Sequence, residues 1–120
     1  MKIPSDFASV KSEKQTIGNI KVYTAGDFVQ IQGYITIQNS SLTVKSPYTI
    51  GTISDSNLCP PTDNPIIFPA IAYNWSSGIT TYYTPAFVQI KNTGAIELIP
   101  YEKSDKSATS FYIFAIYAPK

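Results

Sequence analysis

Apolar and polar side chains alternate along much of this chain, and the alternation is clearest in residues 87–99, FVQIKNTGAIELI. Val88 and Ile90 share one face of a first segment, and Ile96 and Leu98 share one face of a second. A period of two predicts half-buried strands. The intervening residues 91–94, KNTG, contain an Asn and a Gly, which tolerate the positive φ of a short hairpin loop. The segment is therefore predicted to be a β-hairpin.

Similar alternation recurs along the chain and predicts about eight short strands in all. They comprise residues 17–23, 28–38, 48–53, 66–73, 79–87 and 111–117 together with the two strands of the hairpin. Pro69 and Pro85 lack an amide hydrogen, so their strands are predicted to be edge strands or bulged. Gly33 interrupts the apolar face of residues 28–38 and is predicted to let a bulky side chain such as Trp75 or a Tyr lie close.

Short strands separated by turns, with no helical segment, predict an all-β fold, an antiparallel β-sandwich with a jelly-roll-like arrangement. The last strand, residues 111–117, is apolar on both faces, so we expect both faces to be covered. The cover of the second face is either a second sheet or a neighbouring subunit. Residues 1–16 have little pattern, with one helical turn as an option at residues 8–14, and are predicted to be an N-terminal connector. The β domain is expected to span residues 17–120.

The amino-acid composition excludes several classes of function and site. The chain has 120 residues, a net charge of +1 and only 14% charged residues, which argues against nucleic-acid binding. No apolar run approaches the ~20 residues that cross a bilayer, so we expect no membrane insertion. There is no His, and Cys59 is the one cysteine, so no His-dependent triad, zinc site or internal disulfide is expected. No cofactor and no metal site are predicted.

A catalytic pair of carboxylates is also not apparent. Glu97 and Glu102 are close in sequence, but Glu97 is predicted on the outer face of its strand and Glu102 in a Lys-rich loop. Glycosidases need two carboxyl groups that flank one bond. Both glutamates are expected to be solvated surface groups, and the chain is predicted not to be an enzyme.

The best candidate for a binding site is a set of aromatic side chains with nearby Asp and Asn groups, because flat rings cover the apolar faces of a ligand while Asp and Asn bond to its polar groups. Trp75 falls in a predicted polar loop, residues 74–78, although it could instead fold back to cap the core. Tyr82 and Tyr83 are adjacent, so one of them is expected to face outward. The proposed ligand-binding residues are Asp63, Asn64, Tyr73, Asn74, Trp75, Tyr82 and Tyr83.

The order of these features resembles the C-terminal head domains of tail and baseplate receptor-binding proteins from phages of Gram-positive bacteria. The matching pieces lie between residues 17 and 117 and read GDFVQIQGYI at 26–35, YTIGTI at 48–53, LCPP at 58–61, IIFPA at 66–70 and VQIKNTGAIEL at 88–98. The chain departs from the pattern at Cys59-Pro60, where the family often has a basic residue before the proline.

The resemblance implies a β-sandwich head that forms a homotrimer and binds a saccharide on the host cell surface. It also implies a place at the tail tip or baseplate of a virion, in contact with other tail or baseplate proteins. Two alternatives stay open: a structural trimerisation or docking module of the tail that binds no sugar, and a carbohydrate-binding module attached to an enzyme.

Overall fold

The computed structural model describes residues 11–61, 63–76, 79–102 and 107–119, with only the backbone described for residues 74–76 and 79–84. The described part of the chain is all-β, as the alternation predicts. Its strands are β1 (Ser12–Ile17), β2 (Ile20–Ala25), β3 (Phe28–Gln38), β4 (Tyr48–Thr52), β5 (Ile66–Ser76), β6 (Ile79–Ile90), β7 (Ala95–Pro100) and β8 (Ala108–Tyr117). Two single-turn 3-10 helices, Asn39–Ser41 and Ser56–Leu58, complete these elements. No helix within the described ranges is long and apolar enough to cross a membrane.

All eight strands belong to one antiparallel sheet with the order β1-β2-β3-β8-β5-β6-β7-β4. The sheet folds over on itself, so inward residues of its two halves form one hydrophobic core. Val22, Ile31 and Phe111 contribute from β2, β3 and β8, and Val88 and Leu98 contribute from β6 and β7. The result is a sandwich-like domain built from a continuous sheet.

Strand β8 shows how alternation creates this core. Phe111 and Ala115 are fully buried and point inward, whereas Tyr112 and Phe114 point outward and are 53% and 46% exposed. The expectation that both faces of this strand are covered is therefore wrong for the single chain. Soluble proteins rarely expose large apolar patches, and those that do commonly use them as binding surfaces. The apolar outer face of β8 is therefore a candidate binding surface.

Residues 12–16 are part of the predicted connector, but they belong to β1 and pair with β2. The helical turn considered there is excluded for residues 12–14, and residues 1–10 lie outside the described residues. The side chain of Gln15 on β1 also connects the two outermost strands of the sheet, β1 and β4. Its Nε2 donates to the carbonyl oxygen of Thr52 at 2.9 Å, and its Oε1 accepts from the backbone N–H of Ser54 at 2.9 Å.

Gly33 allows a close approach of backbone from the Asn19–Ile20 segment, while the side chain of Trp75 lies outside the described residues. It pairs with Ile20 across the β2–β3 ladder. A Cβ at this position would lie 2.6 Å from the Cα of Ile20 and closer still to the carbonyl oxygen of Asn19. The glycine therefore lets the start of β2 press against β3.

The two strand prolines lie in half-paired regions of interior strands. Residues 66–70 of β5, which include Pro69, pair with β6 but not with β8. Likewise, Pro85 lies in the part of β6 that pairs with β5 but not with β7. Neither β5 nor β6 is an edge strand of the sheet. Each proline nevertheless lies in a segment that is paired with a neighbouring strand on one side only, because proline has no N–H with which to donate a hydrogen bond.

Glu97 is on the outer face of β7, as predicted, but it is only 9% exposed and not solvated. Its Oε1 accepts from Nε2 of Gln89 at 2.6 Å and lies 3.3 Å from Nζ of Lys91, while Oε2 accepts from Oγ1 of Thr49 at 3.4 Å. Burial alone raises a carboxyl pKa, but these partners outweigh it and lower the pKa of Glu97.

We expect Glu97→Gln to destabilise the domain at pH 7 by about 1–2 kcal/mol, because hydrogen bonds to the charged carboxylate are lost. A carboxyl whose pKa is lowered by folding stabilises above its unfolded pKa, and that contribution disappears as the pH falls through the folded value. The difference in the free energy of unfolding between wild type and variant should therefore become smaller when the pH falls below 4.5, the ordinary pKa of glutamate. Urea denaturation at pH 7 and pH 3 measures it, and a pH-independent difference would contradict the assignment.

Candidate ligand-binding groove

A groove of about 440 Å³ crosses the outer face of the sheet over β2, β3, β8 and the first half of β5. We call it the outer-face groove. Its aromatic lining residues are Tyr23, Tyr34, Tyr112 and Phe114, its polar ones are Asn19, Lys21 and Gln32, and Pro69 and Ile71 close it on the β5 side.

The groove forms where two strands separate. The β5–β8 ladder covers only Ile71–Tyr73 on one strand and Ser110–Tyr112 on the other. Pro69, two residues before the ladder, has no N–H with which to continue it. Beyond this point, residues 66–70 of β5 have no pairing partner in β8, and Pro69 and Phe114 both line the groove.

Stacked tyrosines form the floor of the groove. Tyr34 and Tyr112 are directly paired across the β3–β8 ladder and are 44% and 53% exposed. The ring of Tyr73 stacks on that of Tyr112, with centroids 4.4 Å apart and planes 12° from parallel. Burial, together with the adjacent phenol of Tyr112, raises the pKa of Tyr73 to about 12. The exposed rings of Tyr34 and Tyr112 therefore give the groove a flat aromatic floor, with Tyr73 stacked against Tyr112.

Hydrogen-bonding groups lie along the β2 side. Lys21 and Gln32 are paired across the β2–β3 ladder, and the side-chain amide of Gln30 donates to the Oε1 of Gln32. Asn19 lies in the turn before β2 and also lines the groove. Flat rings beside amide and ammonium groups are a combination that suits a ligand with apolar faces and polar edges.

The sequence-predicted site residues fall into separate places. Asp63 and Asn64 precede β5 and are exposed, and the Asp63 carboxylate accepts from Nδ2 of Asn92 at 3.1 Å. Tyr73 lies near the other end of β5, is 8% exposed and supports Tyr112 from within the stack. An extended strand rises ~3.3 Å per residue, so Asn64 and Trp75 are separated by roughly 35 Å of strand. The predicted residues therefore do not form one cluster.

The predicted loop at residues 74–78 is wrong for its first half, because β5 continues to Ser76. In the β5–β6 hairpin Tyr73 pairs with Tyr83 and Trp75 pairs with Thr80. Asn74, Trp75, Tyr82 and Tyr83 have a described backbone, but their side chains lie outside the described residues. Their part in ligand binding therefore stays a prediction.

Sequence reasoning missed the exposed aromatic residues of the groove. The signal was present, since Tyr34 lies opposite the apolar face of β3, and Tyr112 and Phe114 make the second face of β8 apolar. Among the residues that the structure describes, no group of three or more His, Cys, Asp or Glu side chains is placed to hold a metal ion.

Comparison with known proteins assigns no family. No protein-family model matches the chain, and a search of curated proteins finds no match.

Proposed function

We propose that this chain is the receptor-binding head domain of a phage tail or baseplate protein, and that it attaches the virion to a saccharide on the host cell surface. In this proposal the outer-face groove binds the sugar, the domain acts as a homotrimer, and it contacts other tail or baseplate proteins. The observation that carries the proposal is the exposed Tyr34–Tyr112 pair beside the polar residues of β2 and β3. The order of motifs described above supports the phage context.

The chemistry of sugars fits this arrangement. A pyranose ring has an apolar C–H face, which packs against an aromatic ring, and hydroxyl edges, which need donors and acceptors. Tyr112 and Phe114 supply exposed rings, and Asn19 and Gln32 supply carboxamides that both donate and accept. No carboxylate is among the described lining residues, so the groove offers no acid–base pair and the proposed role is binding without catalysis.

A structural docking module is the second candidate, and one observation favours it. Ile67 and Ile71 on β5 are 54% and 48% exposed, so the apolar surface extends along β5 beside the groove. An apolar surface of this kind also suits a subunit interface. In that case the aromatic residues would be buried between protomers or against another tail protein, and a carbohydrate-binding module attached to an enzyme would instead be monomeric.

Phe114→Ala should weaken saccharide binding about tenfold or more, which corresponds to ~1.4 kcal/mol, because it removes an exposed ring from the groove. A glycan array identifies a bound saccharide, and titration calorimetry measures its affinity for both proteins. Phe28→Ala is the matched control: Phe28 is also a strand phenylalanine, is also 46% exposed, and does not line the groove.

Equal affinities of wild type and Phe114→Ala would exclude the groove as the sugar site. If no saccharide on the array binds, and Phe114→Ala instead changes the subunit count measured by light scattering, the docking module replaces the receptor-binding proposal.

A further inference from the structure

Lys21 is the one charged residue among the described residues that line the outer-face groove. Its Nζ lies 3.6 Å from Oε1 of Glu13, and the two side chains are 48% and 41% exposed. Glu13 belongs to β1 and pairs with Tyr23, which also lines the groove. The ion pair therefore stands at the β1–β2 end of the groove, within reach of a bound ligand.

We infer that the Glu13–Lys21 ion pair sets the charge selectivity of the groove, with Lys21 binding an anionic substituent of the saccharide and Glu13 competing for the same ammonium group. The inference rests on the proposed function and deepens it, because it names the ligand class: a sugar that carries a carboxylate or a phosphate. Both substituents present oxygen atoms with negative charge to the lysine.

Two features make Glu13 a weak competitor. The ion pair is a single contact at 3.6 Å between exposed groups, and such pairs contribute little because water screens them. The carboxylate also keeps another partner when Lys21 leaves, since Oγ1 of Thr16 donates to Oε1 of Glu13 at 2.6 Å. This hydrogen bond is the main cause of the lowered pKa of Glu13, so the competing charge is present at neutral pH. When a ligand anion replaces Glu13 as the partner of Lys21, the lysine is paired with the ligand and Glu13 is still bonded to Thr16.

Charge at this end of the groove favours an anion. Nζ of Lys11 lies 4.3 Å above the ring centroid of Tyr23, which places a second ammonium group beside the groove. Among the described residues at this end, Glu13 supplies one carboxylate and Lys11 and Lys21 supply two ammonium groups, which together carry a charge of +1 before the ligand binds. Lys21, Gln32 and Phe114 lie in register on three adjacent strands. With strands ~4.8 Å apart, the lysine and the phenylalanine backbones are roughly 10 Å apart, a span suited to linked sugar rings.

The test compares charged and neutral probes by NMR titration of the whole chain. The anionic probes are a tetrasaccharide of alternating glucuronic acid and N-acetylglucosamine, and N-acetylglucosamine 1-phosphate, which separate the carboxylate and phosphate sources. The neutral probe is the tetramer of N-acetylglucosamine. We expect Lys21→Gln to weaken binding of an anionic probe about tenfold and Glu13→Gln to tighten it about threefold, with the neutral probe changed less than about twofold.

Lys91→Gln is the matched control. Lys91 is 45% exposed, close to the 48% of Lys21, and it also pairs with a glutamate, Glu97, but it does not line the groove. It should leave the affinity for every probe unchanged. Glu13→Gln retains the oxygen that accepts from Thr16, so a loss of β1 structure should not obscure its effect.

An equal loss of affinity in Lys21→Gln and Lys91→Gln would mean diffuse attraction and would overturn the inference, as would an unchanged affinity in Glu13→Gln. If wild type binds the neutral tetramer through the groove but neither anionic probe, the inference fails while the proposed function stands. If array glycans and all probes fail to bind and Phe114→Ala alters only the subunit count, both fail together.

Discussion

Gly33→Ala is expected to destabilise the domain by about 2–4 kcal/mol, one of the two largest effects that the structure predicts. The added Cβ would lie 2.6 Å from the Cα of Ile20 and closer to the carbonyl oxygen of Asn19. Both atoms belong to backbone, so no side chain can rotate away, and the φ of +152° is itself unfavourable for a residue with a Cβ. Chemical denaturation followed by circular dichroism measures the free energy of unfolding.

Gly18→Ala separates the clash from the effect of positive φ. Gly18 has a φ of +58°, but a Cβ there would meet no atom within 4 Å. Only the conformational penalty remains, about 1 kcal/mol. A loss of stability in Gly33→Ala no larger than that in Gly18→Ala would show that the packing of β2 against β3 is looser than the structure indicates. Because Asn19 and Gly33 both line the groove, Gly33→Ala should also disturb ligand binding.

Phe111→Ala should destabilise the domain by about 3–5 kcal/mol, because it empties a large volume in the core. Phe111 is fully buried, lies on β8 next to the outward-facing Tyr112, and packs within the cluster shared by both halves of the sheet. Differential scanning calorimetry should show a lower unfolding temperature, and urea denaturation should show a lower midpoint concentration of urea. The size depends on how far the surrounding side chains can move into the space.

The matched control lies three residues along the same strand. Phe114→Ala removes the same side chain from a position that is 46% exposed, so its cost should stay below about 1 kcal/mol. Similar losses in the two variants would contradict the assignment of inner and outer faces on β8. A small loss in Phe114→Ala also establishes that a reduced affinity for saccharide in this variant does not come from unfolding.

Local alternation was sufficient to predict most of the sheet. The strand predicted over residues 28–38 coincides with β3, Phe28–Gln38, because its apolar positions alternate strictly and turn residues flank it. β1 escaped prediction because SEKQTI has one strongly apolar residue and is mostly exposed, so its place depends on backbone pairing with β2. The end of β5 at residues 74–76 was predicted to be a loop because Asn and Ser are common in turns.

The groove and the buried state of Glu97 were harder to predict, since both depend on contacts between distant segments. Glu97 is shielded in part by Thr49, which is 48 residues away in the chain and lies on a neighbouring strand. The groove exists because the β5–β8 ladder stops at Ile71, and periodicity carries no information about which strands become neighbours or where their pairing ends. The apolar residues on both faces of β8 predicted that both faces are covered, whereas Tyr112 and Phe114 on the outer face are exposed in the single chain.

The side chain of Gln15 has a consequence for the solubility of the domain. β1 and β4 are the terminal strands of the sheet, and terminal strands expose amide and carbonyl groups that recruit further chains. The carboxamide of Gln15 imitates a peptide unit and occupies one such acceptor at Thr52 and the donor at Ser54 just beyond β4. Because these two backbone groups already have a partner in the same chain, we expect this part of the sheet border to be a poorer template for strand addition by a second chain.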